Sequence, residues 1–403
     1  MDAKTCYTGE RDLFIGFVSE TYAPEVNGVA MTLGRLANGL AGFGHRVDIY
    51  RPAQYKTEKP SRHGNILQIP MPGMPIPGYR EMHFGFPAGK FFRSRWHRQR
   101  PDVLYVATEG PLGASAIKAA SKSGVPVISG FHTNFHSYSN HYHLGWLAPA
   151  ILAYMRRLHN RTRMTLVPTH ALARKLSGTG FNNVEVMQRG VDIELFSPLR
   201  RNSELRMQWG ADDNSIVCIY VGRIAPEKNI QTAVDTVHAL SAYHKIQFVL
   251  VGDGPMRKKL ERENPDYIFC GTRLGEDLAS HYASADVLLF PSRTETFGNV
   301  VTEAMASGLA TVAYDEAAAH EHITDYHTGV LAYDEPTHSF TSVAMRLCKQ
   351  REMIRSIGNN AYEYTKQLSW SIIVTRFKSL LQSACTKSHP IKRDRDYNPG
   401  VRS

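Results

Sequence analysis

Short apolar runs recur along this chain, and nearly every one breaks at a glycine, proline or polar turn into a segment with helical spacing. Leu13-Phe14-Ile15-Gly16-Phe17-Val18 leads through a loop at 20–28 into apolar positions Val29, Leu33, Leu36 and Leu40, closed by Gly42 and Gly44. Similar runs stand at 47–50, 66–69, 103–106, 125–128 and 164–167. After Arg189-Gly190-Val191-Asp192 and the turn Phe196-Ser197-Pro198 a second series starts: 216–221, a helix over 228–240, then runs at 248–251, 267–270, 286–290 and 310–314. Runs this short and this apolar are strands covered on both faces, which parallel sheets between helix layers provide. The fold class is therefore α/β, with two doubly wound domains in 403 residues and a cleft between their strand ends.

Composition narrows the partners. The formal charge of +10 and pI near 9.3 favour nucleotide phosphates, anionic lipid or nucleic acid. Cys6, Cys218, Cys270, Cys348 and Cys385 are scattered and odd in number, as in a reduced cytosolic protein without a disulfide framework or metal cluster. Met1-Asp2-Ala3-Lys4 opens no apolar signal region, and no run reaches the roughly 18 apolar residues of a membrane span, so membrane contact is expected to be peripheral. The cluster Pro70-Met71-Pro72-Gly73-Met74-Pro75-Ile76-Pro77-Gly78 reads as a long loop. Behind it, residues 84–100 interleave Phe84, Phe86, Phe91, Phe92 and Trp96 with Lys90, Arg93, Arg95, Arg98 and Arg100. A segment meeting anionic lipid fits this mixture, and a surface helix with inward aromatics and solvated cations is the alternative. No nucleic-acid motif accompanies it, so no nucleic-acid partner is expected. Three helical segments follow Pro336, and the last, with Trp370, Ile373, Phe377 and Leu380 at helical spacing, needs an apolar partner in the first domain.

The residues with chemical capacity sit where strands end. The run 286–290 breaks at Pro291-Ser292 into a loop with Glu295, then a helix that holds Glu303 and ends at Gly308, with seven residues between the two glutamates. The N–H groups of Phe297, Gly298 and Asn299 lie between them. Taken alone, Glu303 reads equally as a solvated helix-face residue and Glu295 as part of an ordinary polar loop. In the second series' first strand-to-helix turn, Gly222 permits close approach while Arg223 and Lys228 carry two cations suited to a diphosphate; a surface pair of Arg223 with Glu227 competes with that reading. Asn27-Gly28-Val29 opens the first helix, a weak phosphate signal. His132 falls at the carboxyl end of the strand 126–130, where it reads as a residue of the cleft edge, with a core histidine as the alternative. His136, His141 and His143 follow without a Cys or Glu at ligand spacing, and no metal site is expected.

These residues together resemble the retaining GT-B glycosyltransferases, in particular the bacterial lipid and polysaccharide transferases, over about residues 13–381. The motifs that carry the likeness are the loop at 24–28, Ala107-Thr108-Glu109-Gly110-Pro111-Leu112-Gly113, Phe131-His132-Thr133 and Gly190-Val191-Asp192. Gly222-Arg223 with Glu227-Lys228-Asn229, Val251-Gly252-Asp253-Gly254-Pro255 and the two glutamates complete them. Lipid-directed α-mannosyltransferases and sulfoquinovosyl or glycosyl diacylglycerol synthases are the most similar subgroup. Thr296 departs from the glycine common in the family.

Two Rossmann-like domains are expected over 12–190 and 201–368, with a linker at 191–200 and a helix at 369–385 crossing back to the first domain; the polar, basic, Pro-containing tail at 386–403 reads as disordered. The resemblance implies that Arg223 and Lys228 hold the diphosphate of a nucleotide sugar, GDP-mannose or a UDP-sugar, with Gly28 adding a backbone N–H. Glu303 would bind the ribose diol, Glu295 the sugar hydroxyls, and the backbone of Phe297, Gly298, Asn299 and Val300 the donor. Arg273 would stand near the base and His132 over the transferred sugar. No cofactor beyond the donor substrate is implied, since the one Asp-x-Asp, Asp394-Arg395-Asp396, lies in the tail. The acceptor would be a membrane lipid such as diacylglycerol or a glycolipid, met at the inner membrane face by a cytoplasmic, peripheral enzyme whose residues 84–100 touch anionic lipid. Extension of a soluble glycan or polysaccharide precursor is the neighbouring alternative, and a non-catalytic basic binding module the alternative of another class.

Overall fold

The computed structural model describes residues 11–25, 27–76, 79–132, 148–295 and 297–386. In chain order the strands are β1 (Phe14–Val18), β2 (Arg46–Pro52), β3 (Ser61–His63), β4 (Ile66–Met71), β5 (Gly73–Ile76), β6 (Tyr79–Gly85), β7 (Val103–Val106) and β8 (Val127–Gly130). They continue with β9 (Met164–Val167), β10 (Val184–Val186), β11 (Ile216–Val221), β12 (Ile246–Val251), β13 (Ile268–Gly271), β14 (Val287–Phe290), β15 (Ala310–Tyr314) and β16 (Val330–Ala332). One sheet has the order β10-β9-β8-β7-β1-β2-β4-β3 and the other β13-β12-β11-β14-β15-β16. All neighbours are parallel except β3 against β4. β7, β8, β9 and β11 are buried along their whole length, which is why their sequences are apolar without alternation. The fold is GT-B, two doubly wound α/β layers.

In each sheet the first strand lies between strands whose connections run in opposite directions: β1 between β2 and β7, β11 between β12 and β14. Those two reversal points open a crevice beyond the strand carboxyl ends, at Ser19 and Ala107 in one sheet and at Gly222 and Pro291 in the other. The helices that follow are set by local chemistry. Asn27 caps Gly28–Gly42 by accepting from the N–H groups of Val29 and Ala30.

The Pro70 to Gly78 cluster is not a plain loop. Gly73–Ile76 and Tyr79–Gly85 pair as a two-stranded antiparallel hairpin, in which Pro75 is tolerated because β5 has no neighbour on its other side. In the helix Gly89–Arg98 behind it, Phe92 and Trp96 are buried and stacked, Phe91 is exposed, and Arg95 is held by Asp48 at 2.7 Å and by the Tyr50 hydroxyl at 3.0 Å. Among the described residues no helix is long and apolar enough to cross a membrane.

The helix Trp370–Thr386 packs on the first layer. Ile373, Val374, Phe377, Leu381 and Ala384 bury against Ile15, Phe17, Leu33, Leu36 and Leu40, with the Phe377 ring edge-on to Phe17 and Tyr105. Each of these side chains other than Ala384 contributes about 1.5–3 kcal/mol on burial. The contact with the first helix depends on Gly39, where an added Cβ would lie 2.6 Å from both Val374 methyls. Gly39→Ala is expected to cost about 1–3 kcal/mol of stability, despite the better helix propensity of alanine, and Val374→Ala to recover most of it in the double variant. A thermal melt of the three variants checks this; an unchanged Tm in Gly39→Ala would show that the helices separate freely.

Candidate active site

On the second sheet the crevice is built from two segments. From β11 the chain passes through Gly222-Arg223 into a 3-10 turn, Pro226–Lys228, and from β14 through Pro291 to Glu295. Lys228 Nζ donates to Glu295 Oε1 at 2.6 Å, and Ser292 Oγ donates to the same oxygen at 2.8 Å. Both charged side chains are about three-quarters buried or more, with exposures of 24% and 20%. The sequence assigned these two residues to different parts of a ligand, and the structure joins them in one ion pair. Arg223 donates to Glu227 Oε1 at 2.7 Å and is 64% exposed, so its guanidinium is paired on the surface beside the same turn. Arg273 binds the Cys270 carbonyl and Asp277.

Glu303 is no solvated helix-face residue. Its Oε2 accepts from the Tyr282 hydroxyl at 3.0 Å, and burial, only partly offset by that bond, pushes its carboxyl up to about 7. The helix Asn299–Ala306 that carries it starts from Gly298 at φ +88°, where the left-handed backbone favours glycine. Phe297 is buried, its carbonyl accepts from Ala318 N, and the Asn299 Oδ1 has no partner among the described residues. Val300 follows in the first turn. Thr296 lies outside the described residues, as do His136, His141 and His143.

The first domain faces this surface closely. A Cβ added to Gly28 would stand 3.4 Å from Arg189 Nη1 and 3.9 Å from Asn299 Nδ2, so glycine here lets the two halves meet. With Asn27 capping the N–H groups of Val29 and Ala30, the first helix offers less free backbone than its N-terminus alone implies. His132 Nε2 and the Tyr105 hydroxyl are 3.0 Å apart, and His132 Nδ1 is buried without a partner among the described residues. Burial, then the charges of Arg189 and His159, lower its pKa to about 3, so the imidazole is neutral at pH 7.

Comparison with known proteins decides the family. Residues 26–195 match Glycosyltransferase Family 4 and residues 215–350 match Glycosyl transferases group 1. A GDP-mannose-dependent alpha-mannosyltransferase of Mycobacterium tuberculosis is 33% identical over 79% of this chain and 83% of its own length. This chain belongs to the family 4 glycosyltransferases. The sulfoquinovosyl transferase SQD2 of Arabidopsis thaliana is 30% identical over 77% of this chain and 62% of its own. The sucrose-phosphate synthase of Thermosynechococcus elongatus superposes with a TM-score of 0.73 at 18% identity over 92% of this chain and 98% of its own, a likeness of fold.

In this transferase the structure joins Lys228 to Glu295, Glu303 to Tyr282 and His132 to Tyr105, and it sets Gly28 beside Asn299 and Arg189. Sequence reasoning passed over Ser292, Tyr282, Tyr105 and Arg189. Only Arg189 left a signal, a cation between an apolar run and the Gly190 turn. The tyrosines' roles depend on pairings with Glu303 and His132 that no local pattern announces.

Proposed function

We propose that this transferase moves a hexose from GDP-mannose or a UDP-sugar, with retention of configuration and without a metal ion, to a membrane lipid such as diacylglycerol or a glycolipid at the inner membrane face. The observation that carries the reading is the Lys228–Glu295 pair at the strand ends of β11 and β14, because one crevice then offers a cation for phosphate beside an acceptor for hydroxyls. Glu303, about one turn into the next helix, offers a second acceptor for the ribose. Departure of the diphosphate leaves negative charge on oxygen and positive character on the sugar, and a fixed ammonium beside the phosphate stabilises the first. The neutral His132, its Nδ1 without a partner among the described residues, exchanges hydrogen bonds with the sugar without repelling its positive character. For retention, a phosphate oxygen takes the acceptor's proton on the leaving-group face, and the approach of Gly28 to Asn299 limits access of water.

Two lines support the lipid acceptor. The similar proteins include a GDP-mannose-dependent phosphatidylinositol dimannoside mannosyltransferase and alpha-monoglucosyldiacylglycerol synthases. Phe86 and Phe91 are exposed beside Lys90, Arg93 and Arg98, a surface suited to anionic headgroups. The expected outcome is thermal stabilisation by one nucleotide sugar of a panel, turnover with lipid acceptors that survives EDTA, and flotation with phosphatidylglycerol vesicles. Absence of flotation, with activity indifferent to lipid, would transfer the assignment to a soluble glycan acceptor; absence of any nucleotide-sugar binding would remove it.

A further inference from the structure

Arg189 is a buried cation without a counter-charge among the described residues. It follows β10 at the point where the chain leaves the first layer, and only 7% of its surface is exposed. Its Nε is wholly buried and has no hydrogen-bond partner among the described residues. The contacts around it are aromatic or neutral: the guanidinium lies over the Phe297 ring at 5.3 Å, and Tyr105 and His132 are its titratable neighbours. Glu109, a carboxylate in the neighbourhood of Tyr105, faces the His159 imidazole at 3.3 Å. Burial lowers the Arg189 pKa to about 10, so the group stays charged at pH 7.

A guanidinium held this way is costly unless an anion joins it, because its desolvation has no Coulombic return. Its direction shows where that anion would come from. Arg189 Nη1 and Asn299 Nδ2 both stand within 4 Å of the position of a Cβ on Gly28. The first-domain cation, an amide from the second domain and the start of the first helix therefore converge at one place in the cleft. The unpartnered Nδ1 of His132 and Oδ1 of Asn299 belong to the same neighbourhood. Three buried polar atoms from three elements, none with a partner among the described residues, describe a built subsite for a charged and hydroxylated ligand.

We propose that Arg189 binds an oxyanion of the bound substrate, on the side of the cleft opposite Lys228. This deepens the assignment as a nucleotide-sugar transferase and rests on it. Two parts of the substrates carry such an oxyanion: the distal phosphate of the donor, and an acid group on the acceptor or the transferred sugar. A guanidinium suits either, since its fork matches phosphate and carboxylate oxygens alike.

The test uses the full chain and the variants Arg189→Gln and Arg189→Lys. Titration with GDP and UDP reads the donor phosphate; transfer to diacylglycerol against glucuronosyl diacylglycerol reads an acid on the acceptor, and uronic against neutral nucleotide sugars an acid on the donor. The expected result is a loss of at least tenfold in Arg189→Gln, confined either to nucleoside-diphosphate affinity or to the acidic member of one pair, with partial recovery in Arg189→Lys. The Tm of Arg189→Gln without ligand should equal or exceed that of the wild type, since an uncompensated buried charge is removed. A fall in Tm with equal losses on every substrate would make Arg189 a structural residue and overturn the proposal, as would wild-type behaviour of Arg189→Gln. Wild-type protein that binds neither GDP nor UDP would instead overturn the transferase reading beneath it.

Discussion

Lys228→Ala is expected to lower kcat for sugar transfer by about 10²–10³-fold, the range found when one preorganised charge-stabilising donor is removed from a transition state. The effect should fall on kcat more than on KM. In the ground state the diphosphate charge is already present and partly hydrated, whereas the charge released on bond cleavage appears only in the transition state and needs a partner already in place. The Lys228–Glu295 bond gives that placement, because an ammonium tied at 2.6 Å to a carboxylate, itself held by Ser292, has little freedom to relax. The fold should tolerate the change. The pair is partly solvated, Ser292 still serves Glu295 when the lysine is gone, and the loss is expected to be about 1 kcal/mol, a few degrees in Tm. Glu295→Gln provides the contrast: it keeps the ammonium and exchanges one of the two accepting oxygens for an N–H donor, so KM for the donor should rise more than kcat falls. Single-turnover rates on folded variants check both, and near wild-type turnover in Lys228→Ala would remove the catalytic role.

What was legible in the sequence follows from the range of the interactions concerned. Buried parallel strands advertise themselves locally, since both faces need apolar residues, and the two α/β series were readable for that reason. The hairpin of β5 and β6 was hidden by its own prolines, which signal a loop unless the pairing partner is known. In the site, glycines and charges at strand ends marked the crevice, but their pairings did not show. Lys228 and Glu295 are 67 residues apart, and Tyr282 and Glu303 are 21 apart, so neither bond leaves a periodic trace. Arg223 illustrates the opposite case: Glu227, four residues on, was visible as a competitor and is the partner it has. Arg189 stood in a motif read as a domain boundary, and its burial against Phe297 arises only once the two layers face each other.

Glu303 is expected to make donor binding depend on pH in a direction opposite to its effect on stability. Ribose hydroxyls donate more strongly to an ionised carboxylate than to a carboxyl, so binding favours the deprotonated form. With the carboxyl at about 7 in the free protein, affinity for a nucleotide sugar should rise roughly tenfold from pH 6 to pH 8 and level off above that. GDP-mannose or a UDP-sugar is the right probe, because the terminal phosphate of a nucleoside diphosphate itself titrates at about 6 and would add its own slope. Stability has the other sign. The folded-state pKa lies above the ordinary value of 4.5, so the native protein keeps a proton that the unfolded chain has lost. Native stability is therefore intact below about 4.5, declines as pH rises toward 7, and carries above that a penalty of order 3 kcal/mol for a charged, buried carboxyl. Glu303→Gln removes the penalty and keeps the bond to Tyr282, so the variant should melt higher than wild type at pH 8 while binding donor about tenfold or more weakly and without the pH slope. Calorimetric titrations and melts at pH 6 and pH 8 read both quantities. A glutamate retained only to hold its helix would lose stability on substitution and leave the binding slope unchanged; a ligand-binding carboxyl kept at a cost to the fold does the reverse.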